Sequence, residues 1–233
     1  QKTKGIILDD KEKGITEIGV PMGIIAALIP STNPTSSTIY KIMIALKAGN
    51  AVIVSPHPNA KDCIIKTAEY LIKAAERKGA PKGLIGVIKT PTLQATQELM
   101  KHKKTSLILA TGGEAMVKAA YSSGTPAIGV GPGNGPAFIE RSADIRKAVK
   151  RIIDSKTFDN GVICASEQSI VTEEVIKNQV VDELKRQGAY FLNKDERNKV
   201  GSILMRANNT MNPKIVGKTA LYIAAMAGIT VPV

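Results

Sequence analysis

A chain of 233 residues is long enough to bury a real core, and its 43% hydrophobic share excludes a disordered polymer. The net charge of +12 lies on helical patterns such as Lys101, Lys103 and Lys104, or Arg146, Lys147, Lys150 and Arg151, without the interleaved aromatics of single-strand binders. Solvated faces therefore rank first and an anionic small molecule second, with no nucleic acid expected. Two distant cysteines, Cys63 and Cys164, make neither a disulfide framework nor a zinc site, and no apolar run approaches the ~20 residues of a membrane span. No membrane partner is expected, and a reducing cytoplasm is the default compartment.

Residues 1–20 read as a hairpin: Gly5-Ile6-Ile7-Leu8, a polar turn, then residues 16–20. Residues 23–29 are a continuous apolar run, the mark of a buried strand. Pro30-Ser31-Thr32-Asn33-Pro34 ends it and opens a helix, capped by Thr32 or Asn33 with Pro34 in the first turn. The helix runs to Lys47 and stops at Gly49-Asn50.

The pattern then repeats. Residues 51–54 form a short strand and Ser55-Pro56-His57-Pro58-Asn59 a stiff loop. Residues 60–78 form a long amphipathic helix, with Ile64, Ala68, Leu71 and Ala75 at helical spacing and Cys63 on its apolar side. A strand at 84–88, a helix at 92–102 and a strand at 106–109 follow. Thr111-Gly112-Gly113 opens a helix through Tyr121, and residues 127–130 are a strand again. Strands alternating with helices on short loops imply a mostly parallel sheet covered on both faces, with ligands beyond its carboxyl edge.

Residues 131–136, Gly-Pro-Gly-Asn-Gly-Pro, are the most turn-rich segment and read as a crossing between domains. A strand at 137–140 and a helix at 143–156 lead into Phe158-Asp159-Asn160-Gly161-Val162-Ile163-Cys164-Ala165-Ser166-Glu167-Gln168. A strand at 168–171 and helical patterns at 173–187, 194–207 and 214–227 close the chain.

Chemistry concentrates at two places. Cys164 follows a turn signal, Asn160-Gly161, so an exposed nucleophile and a buried core residue both remain open readings. Cys63 reads as core. Thr111-Gly112-Gly113 before a helix is either a plain turn or a phosphate cradle. His57 and His102 are too scattered for a metal site, so none is expected.

The segments Ile29-Pro30-Ser31-Thr32-Asn33-Pro34, Ser55-Pro56-His57-Pro58, Ala110-Thr111-Gly112-Gly113, Val130-Gly131-Pro132-Gly133-Asn134 and the Cys164 stretch occur in the order found in the aldehyde dehydrogenase superfamily. Together they resemble its CoA-acylating branch: acetaldehyde and propionaldehyde dehydrogenases, and the aldehyde-oxidising half of bifunctional aldehyde/alcohol dehydrogenases. The resemblance spans nearly the whole chain. It implies an α/β fold with three parts: an oligomerisation hairpin at 1–20, a mostly parallel Rossmann-type cofactor domain at 21–131, and part of an α/β catalytic domain at 132–233.

The resemblance also implies a reaction. Cys164 is the nucleophile, Thr32 or Asn33 the side-chain donor beside the oxyanion, and a thioacyl enzyme the intermediate. NAD, or NADP, is the cofactor and coenzyme A the acyl acceptor for a small aldehyde. Cofactor contacts map to Ser55, Pro56, His57, Pro58, Thr111, Gly112, Gly113, Val130 and Gly131. The glutamate that activates water in hydrolytic relatives aligns with Val130, and the lysine and glutamate that grip the adenosine ribose align with Ser55 and Pro58. Loss of the base favours thiolysis over hydrolysis. A hydrolytic enzyme with an unusual base and a non-catalytic domain of the same fold are the rival expectations. By resemblance the chain is a central piece of a longer homo-oligomeric protein, poorly active alone, in the cytoplasm or a bacterial microcompartment.

Overall fold

The computed structural model of the chain describes residues 2–131, 133–208 and 210–232. Pro132, within the expected crossing between domains, lies outside the described residues. The chain divides into two compact units, Gln1–Pro132 and Gly133–Val233.

The first unit opens with an antiparallel hairpin, β1 (Gly5–Asp10) and β2 (Ile15–Gly19). Ile6, Leu8, Ile15 and Ile18 on this ribbon are exposed. A five-stranded parallel sheet follows, made of β3 (Ile24–Ile29), β4 (Ala51–Pro56), β5 (Ile85–Val87), β6 (Thr105–Thr111) and β7 (Ala127–Val130). Its spatial order is β5-β4-β3-β6-β7, so the direction of winding reverses between β3 and β6.

Both faces of β3 are buried, which is why it reads as an unbroken apolar run. Ile25, Ala27 and Ile29 join Ile42, Val52, Val54 and Ile64 under α1 (Pro34–Lys47) and α2 (Lys61–Arg77). Ala26 and Leu28 join Leu99, Met100, Ile108 and Ala120 under α3 (Leu93–Lys101) and α4 (Glu114–Tyr121). Alternation along one strand thus feeds two cores.

Two expectations change here. Ser55 and Pro56 belong to β4 and are buried, so the loop begins only at His57. Cys63 is exposed, because α2 turns Ile64 and Ala68 inward and rotates their neighbour by about 100° out of the core.

The second unit pairs β8 (Gly135–Ile139) with β9 (Glu167–Thr172) in parallel. α5 (Ile145–Thr157) and α6 (Lys177–Arg186) pack on them through Ile139, Val149, Ile176, Val180 and Leu184. α7 (Lys194–Leu204) starts on a capping box, Asn193 with Glu196. The expected helix at 214–227 is shorter: a 3-10 turn over Pro213–Ile215, then α8 (Ala220–Met226), since Gly217 at φ +75° interrupts it. An apolar groove of about 1330 Å³, lined by Ile153, Val171, Leu184, Phe191, Leu204 and Leu221 among others, runs through this unit. Among the described residues no helix is long and apolar enough to cross a membrane.

Candidate active site

In the first unit the sheet reversal places two loops side by side. β3 and β6 are register partners up to Leu28 and Ala110, so residues 30–33 and 112–113 leave the carboxyl edge together. In doubly wound sheets such a switch point is where ligands bind. The ends of β4 and β7 flank it, with Ile29 opposite Pro56 and Thr111 opposite Val130. Thr32, Asn33, His57, Pro58, Thr111, Gly112, Gly113, Val130 and Gly131 therefore share one edge of one sheet.

The contacts at this edge sort the residues by what they can offer. The Thr32 hydroxyl donates to Asn33 Oδ1 at 3.2 Å, which leaves the Asn33 amide nitrogen as a donor. The Gly112 amide donates to the Val130 carbonyl at 3.2 Å and closes the β6–β7 end. A side chain added at Gly113 would meet nothing within 4 Å, so the approach to this backbone is open. Bare backbone at a switch point fits a nucleotide; Glu114 in the first turn of α4 disfavours a phosphate directly on that helix end. Ser55 is different, because its hydroxyl bonds the Thr96 hydroxyl at 3.0 Å inside the core.

Beneath the edge lies a residue that the motifs did not single out. Lys41 of α1 is 5% exposed, and its Nζ donates to the carbonyls of Leu28 at 2.7 Å and Leu109 at 2.9 Å. One amine thus spans the two strands at the reversal. Burial lowers its pKa from the usual lysine range to about 7. A lone lysine among Ser37, Thr38, Ile42 and Ala45 on the buried stripe of α1 was the available signal.

In the second unit, α5 ends in a left-handed segment. Asp159 (φ 49°) and Asn160 (φ 51°) precede Gly161 (φ 70°), a conformation that costs non-glycine residues energy. Asn160 Nδ2 anchors it by donating to the Gly217 carbonyl at 3.0 Å. The chain then makes a tight turn, with the Ser166 amide donating to the Ile163 carbonyl at 3.2 Å. Cys164 occupies the second position of that turn and is exposed. Its amide bonds no acceptor among the described residues, as expected at this turn position. Thiol and free donor are thus presented together. Among the described residues no cluster of His, Cys, Asp or Glu is placed to hold a metal.

A parallel sheet in the order 3-2-1-4-5, counted in its own chain order, is the architecture of dinucleotide-binding α/β proteins, here followed by a unit carrying an exposed cysteine just after a left-handed segment. Residues 1–217 match the aldehyde dehydrogenase family, and the chain belongs to that family. It is 52% identical over 232 residues to the aldehyde-alcohol dehydrogenase of Clostridium acetobutylicum, covering 100% of this chain and 27% of that protein. A probable aldehyde dehydrogenase from Listeria monocytogenes EGD-e matches with a TM-score of 0.92 at 59% identity, over 100% of this chain and 51% of its own. The Rhodopseudomonas palustris propionaldehyde dehydrogenase, solved with bound CoA and an acylated cysteine, matches with a TM-score of 0.83 at 33% identity, over 91% of this chain and 49% of its own. The chain spans between about a quarter and half the length of these relatives.

Proposed function

We propose that the protein carrying this chain is a CoA-acylating aldehyde dehydrogenase, which oxidises a short-chain aldehyde to its acyl-CoA with NAD or NADP. The observation that carries the reading is Cys164, an exposed thiol on a turn whose own amide bonds no acceptor among the described residues; the resemblance adds aliphatic Val130 where hydrolytic relatives have the water-activating glutamate.

Cys164 Sγ attacks the aldehyde carbon, and a carbon–sulfur bond forms as the carbonyl oxygen takes up negative charge. The Cys164 amide receives that charge; a donor of this kind contributes ~3 kcal/mol to the transition state. By the family resemblance Thr32 and Asn33 are assigned as side-chain donors to that oxygen; the Thr32 hydroxyl is engaged with Asn33 Oδ1, which leaves the Asn33 amide nitrogen as a donor. The nicotinamide, when bound, supplies the acceptor for the hydride lost from that carbon. Cys164 then holds the acyl group as a thioester; the CoA sulfur bonds to the acyl carbon, the carbon–sulfur bond to Cys164 breaks, and the CoA thiol proton ends on the released cysteine. Water would need a base for the same step, and Val130 offers none.

For the cofactor, the residues that fit are His57, Pro58, Thr111, Gly112, Gly113, Val130 and Gly131 at the sheet edge. Ser55 and Pro56 contribute by shaping the end of β4, since both are buried and the Ser55 hydroxyl is spent on Thr96. On this reading the first unit carries the cofactor role and the second the thiol chemistry. Exposed Ile6, Leu8, Ile15 and Ile18 on the β1–β2 ribbon support a homo-oligomer. The assigned compartment is the cytoplasm or a bacterial microcompartment.

Product analysis tests the proposal. Acyl-CoA formation that depends on CoA, and is lost in Cys164→Ala, is expected. Free acid formed at equal rate without CoA would instead mark a hydrolytic enzyme.

A further inference from the structure

Under the turn that carries Cys164 lies a set of polar side chains that the thiol chemistry leaves unused. Lys156, in the last turn of α5, places Nζ 3.4 Å from Ser166 Oγ and 3.4 Å from Gln168 Oε1. Ser166 is 1% exposed, and its hydroxyl donates to the Ile163 carbonyl at 3.0 Å, beside the backbone bond that closes the turn. At the other end of the loop, Nζ lies 3.4 Å from where a side chain on Gly161 would begin. One lysine therefore contacts Ser166 at one end of the segment 161–166 and lies beside Gly161 at the other. Glu167 neighbours it with the opposite charge.

This arrangement has a physical purpose. The segment before the cysteine is left-handed at three successive residues, two of them not glycine, and Cys164 itself is exposed. Left alone, such a loop relaxes into other shapes and gains entropy by doing so. A reacting atom must instead stay within a fraction of an ångström of its productive place. The lysine side chain, with three rotatable donors on a long stem, bridges several acceptors at once.

We propose that Lys156 is a positioning residue for Cys164: acting through Ser166, it locks the Ile163–Ser166 turn in the shape that presents the cysteine thiol and amide. The inference rests on the reading of Cys164 as the nucleophile, and one experiment separates the two. Alkylation by iodoacetamide is followed at Cys164 and Cys63 in the same sample by peptide mass spectrometry. Both thiols are exposed, so Cys63 is the internal standard. In the unsubstituted protein Cys164 reacts faster than Cys63; equal rates would overturn the nucleophile reading itself.

Given a fast Cys164, Lys156→Met slows it about fivefold to tenfold, the size of a typical coupling between contacting residues. Lys156→Arg restores most of the rate. Ser166→Ala slows Cys164 to a similar extent, and the pair Lys156→Met with Ser166→Ala is no slower than either alone. The Cys63 rate and the circular dichroism spectrum stay unchanged throughout. Lys156→Gln replaces the methionine variant if that one misfolds. A Cys164 rate unmoved by loss of Lys156, additive effects in the pair, or no rescue by arginine overturns the proposal.

Discussion

Lys41 Nζ donates to the Leu28 carbonyl at 2.7 Å, from a helix to the penultimate residue of the strand where the sheet reverses its winding. A second bond runs from the same amine to the Leu109 carbonyl of the neighbouring strand. The cost of burying this amine appears as its pKa of about 7. The unfolded chain binds the proton up to the ordinary lysine value of 10.5, and the folded chain releases it near 7. Between those values the unfolded state holds more protons, so stability rises with pH, by up to about 1.4 kcal/mol per pH unit from this group. Below 7 the contribution is flat. Urea titrations from pH 6 to 10 are expected to show that rise, and Lys41→Met to remove it.

Gly129 lies in β7, against α4. A side chain there would come within 2.6 Å of Val117 Cγ1 and 2.9 Å of Tyr121 Cε2, and the Gly129 amide donates to the Tyr121 hydroxyl at 2.9 Å. Gly129→Ala should destabilise the first unit by about 1–3 kcal/mol, as overpacking does. A fall in its denaturant midpoint with an unchanged slope is the expected result.

Asp159 holds φ 49° without a glycine's freedom. Asp159→Gly should stabilise the second unit by roughly 0.5–1 kcal/mol, and a β-branched Asp159→Val should lower its stability. Thermal melts of the two variants check the ordering. Asn160 differs, since its side chain bonds the Gly217 carbonyl and a glycine there would lose that anchor.

Val130 is half exposed at the end of β7, so a longer polar side chain finds room. If the protein acts as proposed, with Val130 in the place of the family's base, Val130→Glu should raise the share of free acid relative to acyl-CoA by giving water a carboxylate base. Product ratios at limiting CoA measure the effect; an unchanged ratio would show that Val130 does not occupy the base position.

The elements were legible in the residues because each carries its own period. The apolar run of β3, the start at Pro34 and the stop at Gly49 define strand and helix locally, and the observed bounds lie close to those read from the chain. Cys164 was legible for the same reason: turn signals on one side and a strand on the other leave it a tight loop. Cys63 was misread as core because an apolar side of a helix is broader than its buried stripe, and one residue of rotation decides exposure.

What only the tertiary structure decided depends on partners distant in sequence. The Ser55 hydroxyl is withdrawn from the sheet edge by Thr96, 41 residues away. Lys41 is a clamp only because β3 lies beside β6, 68 residues from Lys41 to Leu109. Lys156 reaches Ser166 because α5 packs against β8 and β9, and that returns the start of β9 to the helix end. The sequence by itself determined the elements, the family pattern and the cysteine; the pairing of strands decided which polar groups stand beneath that chemistry, because a hydrogen bond answers to position in space and not to position in the chain.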